Sequence, residues 1–165
     1  MTFLQIAKLL HVLSAFWFVG GVLGRDLTFW HARRETDVRS VHTLLRISEV
    51  FERWGVIRGG MAVLVFGLLT SWLGKWPLFG ALQGVGANWL LVSFAIYIVS
   101  TLLIVPLGMI RRRETRDRAV HHALAEGQIT PELSAALRDP VVNGFRVIEL
   151  FGLAFIIYLM EAKPF

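Results

Sequence analysis

An apolar stretch near the start of the chain decides its fold: Lys8-Leu9-Leu10-His11-Val12-Leu13-Ser14-Ala15-Phe16-Trp17-Phe18-Val19-Gly20-Gly21-Val22-Leu23-Gly24-Arg25-Asp26. It is long and apolar enough to cross a membrane, since a spanning helix needs ~20 mainly apolar residues. Yet Lys8 and His11 stand near its start, and the pair Arg25-Asp26 stands at its end. Ionisable side chains are costly inside a spanning helix, so their presence indicates a functional site.

The composition of the whole chain agrees with a membrane protein. Of its 165 residues, 55% are hydrophobic, against roughly 45–50% in soluble domains. The chain contains no cysteine, which excludes disulfides, thiolate metal sites and cysteine catalysis. In a membrane protein, the net charge of +5 orients the chain and faces anionic lipid. We therefore expect the lipid bilayer, and not a nucleic acid, as its partner.

Four segments have the length and composition of membrane spans: 3–24, 54–74, 88–110 and 140–160. They predict an all-α integral membrane fold, a four-transmembrane-helix up-down bundle in one domain over 1–165, with cytoplasmic amphipathic connecting helices. Asp139-Pro140 offers an N-cap and a first-turn proline to the fourth span. Residues 32–53 mix arginines with carboxylates, which indicates either a helix on the membrane surface or an extension of the spans.

The arginines predict how the bundle is oriented. The connector from Arg25 to Arg58 contains seven arginines and the connector from Arg111 to Arg138 contains six. The connector between the second and third spans has Lys75 as its one basic residue. The positive-inside rule therefore predicts a multi-pass protein of the bacterial inner (cytoplasmic) membrane, with connectors one and three in the cytoplasm and both termini outside.

Two further spans carry charges. Between Arg58 and Lys75 lie 16 residues, about 24 Å of helix, which is short of a hydrocarbon core of ~30 Å. In the fourth span, Arg146 and Glu149 stand at i and i+3, on one side of a helix. We predict an ion-pair network that joins the helices, formed by Arg25, Asp26, Arg58, Arg146 and Glu149. The alternative is capture of an anion, such as a haem or porphyrin propionate or a lipid headgroup.

His11 is the single histidine within a predicted span. A neutral imidazole in an apolar bundle is a good axial ligand for haem iron. We therefore predict b-type haem as the cofactor, with His11 as its metal ligand and Lys8, Arg58 and Arg146 as electrostatic partners in cofactor binding. The alternative is a structural histidine, hydrogen-bonded to a neighbouring span at Tyr97 or Ser100, with no cofactor.

The spans contain no second histidine to complete a two-histidine haem site. The other histidines lie in the cytoplasmic connectors: His31, His42, His121 and His122. A haem on His11 would therefore be five-coordinate, have an unusual second ligand, or be shared with a partner protein. No nucleophile triad or phosphate-binding glycine loop is present in the sequence, so no catalytic residue is predicted.

Several motifs resemble a bacterial family known as a predicted integral membrane protein family, the domain of unknown function twenty-two sixty-nine. They are the opening Lys8 to Ala15, the run Trp17 to Gly21, the third span from Trp89 with Pro106 and a basic end, and the ending Tyr158 to Pro164. The resemblance covers nearly the whole chain.

A more distant likeness involves the first helix. It is similar to that of the HemJ-type membrane protoporphyrinogen oxidases, and the CopD membrane proteins share the same four-helix, histidine-first style. The matching positions are Lys8, His11, Trp17, Phe18, Gly20, Arg25, His31 and Ala32. In the HemJ-type group the first-helix histidine is the candidate haem ligand, so the likeness implies that role for His11. Those oxidases carry a lysine in the third helix, whereas Trp89–Ile110 has no charge, and the oxidase activity is not carried over.

Together these observations predict a small haem-binding membrane protein for electron transfer or porphyrin handling. The alternative is a non-enzymatic accessory or structural subunit, which packs on a larger membrane complex or forms a homodimer. A copper or small-solute permease is a third class, which the absence of cysteine disfavours.

Overall fold

The computed structural model of the chain describes residues 1–79, 88–100 and 105–163. These residues form helices and turns, with no strand among them. In the described residues the α-helices are α1 Phe3–Ala32, α2 Val38–Val50, α3 Gly59–Leu73, α4 Asn88–Val99, α5 Val105–Glu126, α6 Pro131–Leu137 and α7 Pro140–Ala162. A π-helical segment, Phe51–Arg58, joins α2 to α3.

Short polar side chains begin the helices by accepting hydrogen bonds from their first backbone N–H groups. Thr2 and Gln5 form a reciprocal capping box at the start of α1. Asp139 accepts hydrogen bonds at the start of α7, whose first residue is Pro140. The helix start that Asp139-Pro140 predicts is therefore observed in α7.

Asp37 caps α2, and its carboxylate accepts a hydrogen bond from the Ser40 N–H at 2.8 Å. This hydrogen bond lowers the pKa of Asp37 below its ordinary value. The charged cap therefore stabilises the fold above the unfolded-state pKa of ~3.9, and this contribution is lost as the pH falls through the lower, folded-state pKa.

We expect Asp37→Asn, which keeps a cap but cannot titrate, to weaken the acid dependence of thermal unfolding in detergent. Identical acid dependence in the two proteins would contradict this.

Three helical stretches are long and apolar enough to cross a membrane: Phe3–Ala32, Val38–Leu73 and Pro131–Ala162. Trp89–Val99 is a shorter apolar helix. The all-helical class is confirmed for the described residues. The third predicted span, 88–110, includes residues 101–104, which lie outside the described residues, so the count of four spans stays a prediction.

The second spanning stretch differs from its predicted bounds. The sequence placed a separate amphipathic connector at 32–53 and a span at 54–74. The structure instead continues α2 without a break through the π-helical segment into α3. Of the two alternatives for the connector, extension of the span is the one observed. The first helix likewise runs to Ala32, beyond its predicted end at residue 24.

The chain forms two compact units, Met1–Trp76 and Pro77–Phe165. In the first unit, α1 packs against α2, the π-helical segment and α3. In the second unit, α4 and α5 pack against α7, and α6 packs against α5. The prediction of one domain over the whole chain stays a prediction.

In the first unit, glycines bring α1 into close contact with the helical stretch formed by the π-helical segment and α3. A Cβ atom placed on Gly21 of α1 would lie 2.8 Å from the backbone nitrogen of Val56 and still closer to Gly55. A Cβ atom on Gly59 would lie 3.0 Å from the Phe18 Cα. Small residues allow such backbone approach between membrane helices. These contacts set the register of α1 against α3, and hence what lies opposite His11.

Candidate functional site around His11

His11 is held against the backbone of α3. Its Nδ1 lies 3.0 Å from the carbonyl oxygen of Val63. One turn along α3, a Cβ atom on Gly67 would lie 3.0 Å from the His11 Cε1, so the ring packs where the absence of a side chain leaves room. The structural alternative predicts a hydrogen bond from His11 to a neighbouring span, and the structure contains one. Its partner is the main-chain carbonyl of Val63 in the second spanning stretch, and not Tyr97 or Ser100.

This hydrogen bond decides which ring nitrogen of the neutral imidazole carries the proton. A carbonyl oxygen can only accept, so Nδ1 is the donor and Nε2 keeps its lone pair. Among the described residues, Nε2 of His11 has no hydrogen-bond partner. The same pattern, one nitrogen donating to a carbonyl and the other left as a base, is usual for histidines that bind metals.

Lys8 lies one turn before His11 on α1, and its side chain is exposed. Its ammonium group lies 5.1 Å from the centroid of the Trp76 ring, within the range of a cation–π contact. The structure therefore places a positive charge at the same end of the first unit as His11.

Arg58 lies further from His11 than Lys8 does. Its guanidinium carbon lies 3.5 Å from the centroid of the Trp54 ring, one turn earlier in the π-helical segment. Helical side chains lean toward the N-terminus of their helix, so Arg58 extends toward the connector end of its span. The contact of Gly59 with Phe18 places Arg58 about 10 Å along the helix axis from His11.

Thr70 is a polar residue near His11 that sequence reasoning missed. It lies on α3 between Gly67, which contacts His11, and Gly74, which lies near Leu4. Its side chain is 5% exposed, and its Oγ1 is buried without a hydrogen-bond partner. The hydroxyl of a threonine in a helix normally donates to the carbonyl four residues earlier. Nothing in the sequence around Thr70 therefore indicated that its hydroxyl would lack a partner.

A second polar cluster lies at the other end of α1. The Arg25 side chain is 3% exposed, and its Nε lies 2.9 Å from Asp26 Oδ1. Its Nη1 lies 3.0 Å from Oε2 of Glu52, in the π-helical segment. The hydroxyl of Ser48 donates to the Arg25 carbonyl oxygen at 3.2 Å. The structure thus brings Arg25 and Asp26 together with Glu52, a residue that the predicted network did not contain.

The remaining predicted network residues belong to α7. Arg146 is buried, at 9% exposure, and Glu149 is half-buried. Both lie in the second compact unit, whereas Arg25, Asp26 and Arg58 lie in the first. A network shared by all five residues stays a prediction.

The described residues contain no group of three or more His, Asp or Glu side chains placed to hold a metal ion. His122 lies 3.4 Å from Glu126 in α5, in an exposed pair.

Comparison with known protein families gives a match over nearly the whole chain. The family model described as "Predicted integral membrane protein (DUF2269)" matches residues 5–164. No curated protein matches the chain, and no solved structure matches it. The more distant likeness to the HemJ-type and CopD proteins stays a prediction.

Proposed function

The chain belongs to the DUF2269 family of predicted integral membrane proteins, and from this premise we propose that it binds b-type haem in the bilayer through His11. Haem would supply one-electron chemistry for electron transfer, or would itself be the cargo in porphyrin handling. The protein would supply the binding site, its orientation and its electrostatics.

The observation that carries the proposal is the hydrogen bond from His11 Nδ1 to the Val63 carbonyl. A metal-ligating histidine almost always donates its other N–H to a carbonyl or carboxylate, which fixes the ring and raises its basicity. Among the described residues, the Nδ1 donor of His11 has a partner and Nε2 does not. His11, through Nε2, would therefore be the residue that holds the iron of a haem.

Lys8 and Arg58 would have different roles in this site. Lys8 is exposed one turn from His11, where its ammonium group would neutralise a propionate. Arg58 contacts Trp54 and is further away, so we assign it to anchoring the second spanning stretch at the membrane boundary. Arg146 lies in the second unit and stays a predicted electrostatic partner of the cofactor.

The membrane arrangement is part of the same proposal. The arginine-rich connectors would lie in the cytoplasm and both termini outside the inner membrane. His11 would then lie in the outer half of a four-helix up-down bundle. Exposed apolar side chains along α1 and α7, such as Phe16 and Phe151 at 73% each, support contact with lipid.

A visible spectrum of the purified full-length protein tests the proposal. We expect a Soret band in the wild type that shifts on reduction, and its loss in His11→Ala. His31→Ala is the matched control, because His31 lies on the same helix and its Nδ1 also contacts a backbone carbonyl, that of Leu27 at 2.9 Å.

Retention of haem in His11→Ala would rule out the assigned ligand. A wild-type protein that stays colourless after expression with a haem supply would rule out the function. In that case, stoichiometric copurification of another membrane protein would favour the accessory-subunit alternative.

A further inference from the structure

Three arginines lie along one face of the second spanning stretch. Arg39 and Arg46 belong to α2 and Arg53 belongs to the π-helical segment, and all three are exposed. They are spaced by seven residues, close to two turns of helix, so their side chains follow one line. Thr43 and Val50, which lie between them on the same face, are exposed as well. These five residues, the arginine face, therefore form a basic surface that contains no carboxylate.

The arginine face differs in its contacts from other arginines of the first unit. Arg25 pairs with two carboxylates, and Arg34 and Arg58 lie over tryptophan rings. The three guanidinium groups of the arginine face form no ion pair, hydrogen bond or ring contact with the described residues. Unpaired cations in a line make a strip of positive potential, which suits an anionic partner.

We propose that the arginine face binds the headgroups of anionic phospholipids, at the membrane boundary next to the turn between α1 and α2. Guanidinium groups bind phosphate oxygens through two parallel hydrogen bonds. The partner is the lipid headgroup layer, and the inference does not depend on haem binding.

Two contacts between tryptophan and a basic side chain support the position of that boundary. The Lys8 ammonium group lies 5.1 Å from the Trp76 ring centroid, and the Arg34 guanidinium carbon lies 3.4 Å from the Trp30 ring centroid. Tryptophan and arginine or lysine are typical of membrane boundaries. Trp30 follows Lys8 by 22 residues on α1, a rise of about 33 Å. This length matches a hydrocarbon core of ~30 Å with one boundary near Trp30.

Contacts between the helices bring the arginine face to the same level. Ser48 donates a hydrogen bond to the Arg25 carbonyl oxygen, and Glu52 pairs with the Arg25 side chain. The two helices run in opposite directions, so residues before Ser48 on α2 lie beside residues after Arg25 on α1. Arg46 therefore lies within about one turn of helix, ~5 Å, of the level of Trp30.

The depth of Arg53 favours a lipid over a soluble anionic partner. Arg53 lies seven residues beyond Arg46 toward the middle of the span, about 10 Å along the helix axis. Helical side chains lean toward the N-terminus of their helix, which at Arg53 is the direction of the boundary. An arginine can keep its stem in lipid while its charge lies in the headgroup layer. Phospholipid headgroups can therefore contact both Arg46 and Arg53, whereas a nucleic acid outside the membrane would reach Arg46 alone.

The test measures lipid binding to the purified full-length protein in a neutral detergent. Phosphatidylglycerol and phosphatidylcholine with identical acyl chains are compared by native mass spectrometry, since both contain phosphate and only the first has a net negative charge. We expect the wild type to bind phosphatidylglycerol preferentially. The double variant Arg46→Gln/Arg53→Gln should bind it about 25-fold more weakly, at about fivefold for each arginine.

Arg113→Gln/Arg118→Gln is the matched control. It removes the same charge from two arginines of α5 that already have carboxylate partners, Asp117 and Glu114. We expect it to bind phosphatidylglycerol as the wild type does. An equal loss of binding in both double variants would show that binding follows net charge, and would overturn the assignment to the arginine face. Equal binding of the two lipids by the wild type would overturn the proposal itself.

Two further outcomes would assign the arginine face to another partner. A lower melting temperature of Arg46→Gln/Arg53→Gln in neutral detergent without lipid would show that these arginines are paired within the protein. Binding of a random RNA oligonucleotide by the wild type, lost in the same variant, would assign the face to nucleic acid. Either result would overturn the proposal.

Discussion

Gly21→Ala is expected to destabilise the first unit by about 3 kcal/mol or more, because its new Cβ atom would meet backbone rather than a movable side chain. That atom would lie 2.8 Å from the Val56 nitrogen and closer still to Gly55. Overpacking in a well-packed interior costs about 1–3 kcal/mol, and a backbone contact belongs at the upper end. Unfolding in mixed micelles, followed by circular dichroism, measures the loss.

Gly20→Ala is the matched control for this prediction. It is the neighbouring glycine on the same helix, and an added Cβ atom would meet nothing within 4 Å. Alanine is favoured over glycine inside a helix by roughly 0.5–1 kcal/mol, so the control should be neutral or slightly stabilised. Equal stability of the two variants would refute the close approach of α1 to the π-helical segment.

Arg25→Met is expected to destabilise the protein by about 3 kcal/mol, since it leaves two carboxylates without their buried cation. Removal of one partner from a buried ion pair costs about 3–5 kcal/mol. The lower end applies because the side chains of Asp26 and Glu52 keep 16% and 19% exposure. The same micelle unfolding measures the change.

Arg46→Met serves as the control for Arg25, because Arg46 is an exposed arginine of α2 in the same unit. Exposed substitutions usually stay within about 0.5 kcal/mol of the wild type. Neutralising the carboxylates as well, with Asp26→Asn and Glu52→Gln added to Arg25→Met, should recover part of the loss. A triple variant no more stable than Arg25→Met would show that packing, and not unpaired charge, is responsible.

The membrane class and the helix starts could be predicted from the sequence because both depend on neighbouring residues. The length of an apolar run predicts a spanning helix, whichever other helices it packs against. The cap made by Asp139 before Pro140 acts on the N–H groups of the next turn. The length of the second helical stretch was left open by the sequence, because the charged residues from 32 to 53 are compatible both with a surface connector and with a helix that continues beyond the membrane.

The candidate site could be predicted only in part. His11 was found because an ionisable group in an apolar run is conspicuous. Its partner Val63 could not be found, because every residue has a carbonyl and the choice depends on the register of two helices. The pairing of Glu52 with Arg25 could not be predicted either, because Glu52 is one of several carboxylates in the connector and only the register of the helices places it beside Arg25.

By itself, the sequence of this protein determined an all-helical membrane chain with one histidine among its predicted spans, since apolar length and local capping are properties of single segments. The tertiary structure decided that His11 donates to Val63, that Arg25 pairs with Glu52, and that Thr70 is buried near the site. The physical reason is the close approach of Gly21 to Gly55. That contact sets the register of α1 against the second spanning stretch. The register is a property of two segments packed together, so neither segment determines it by its own sequence.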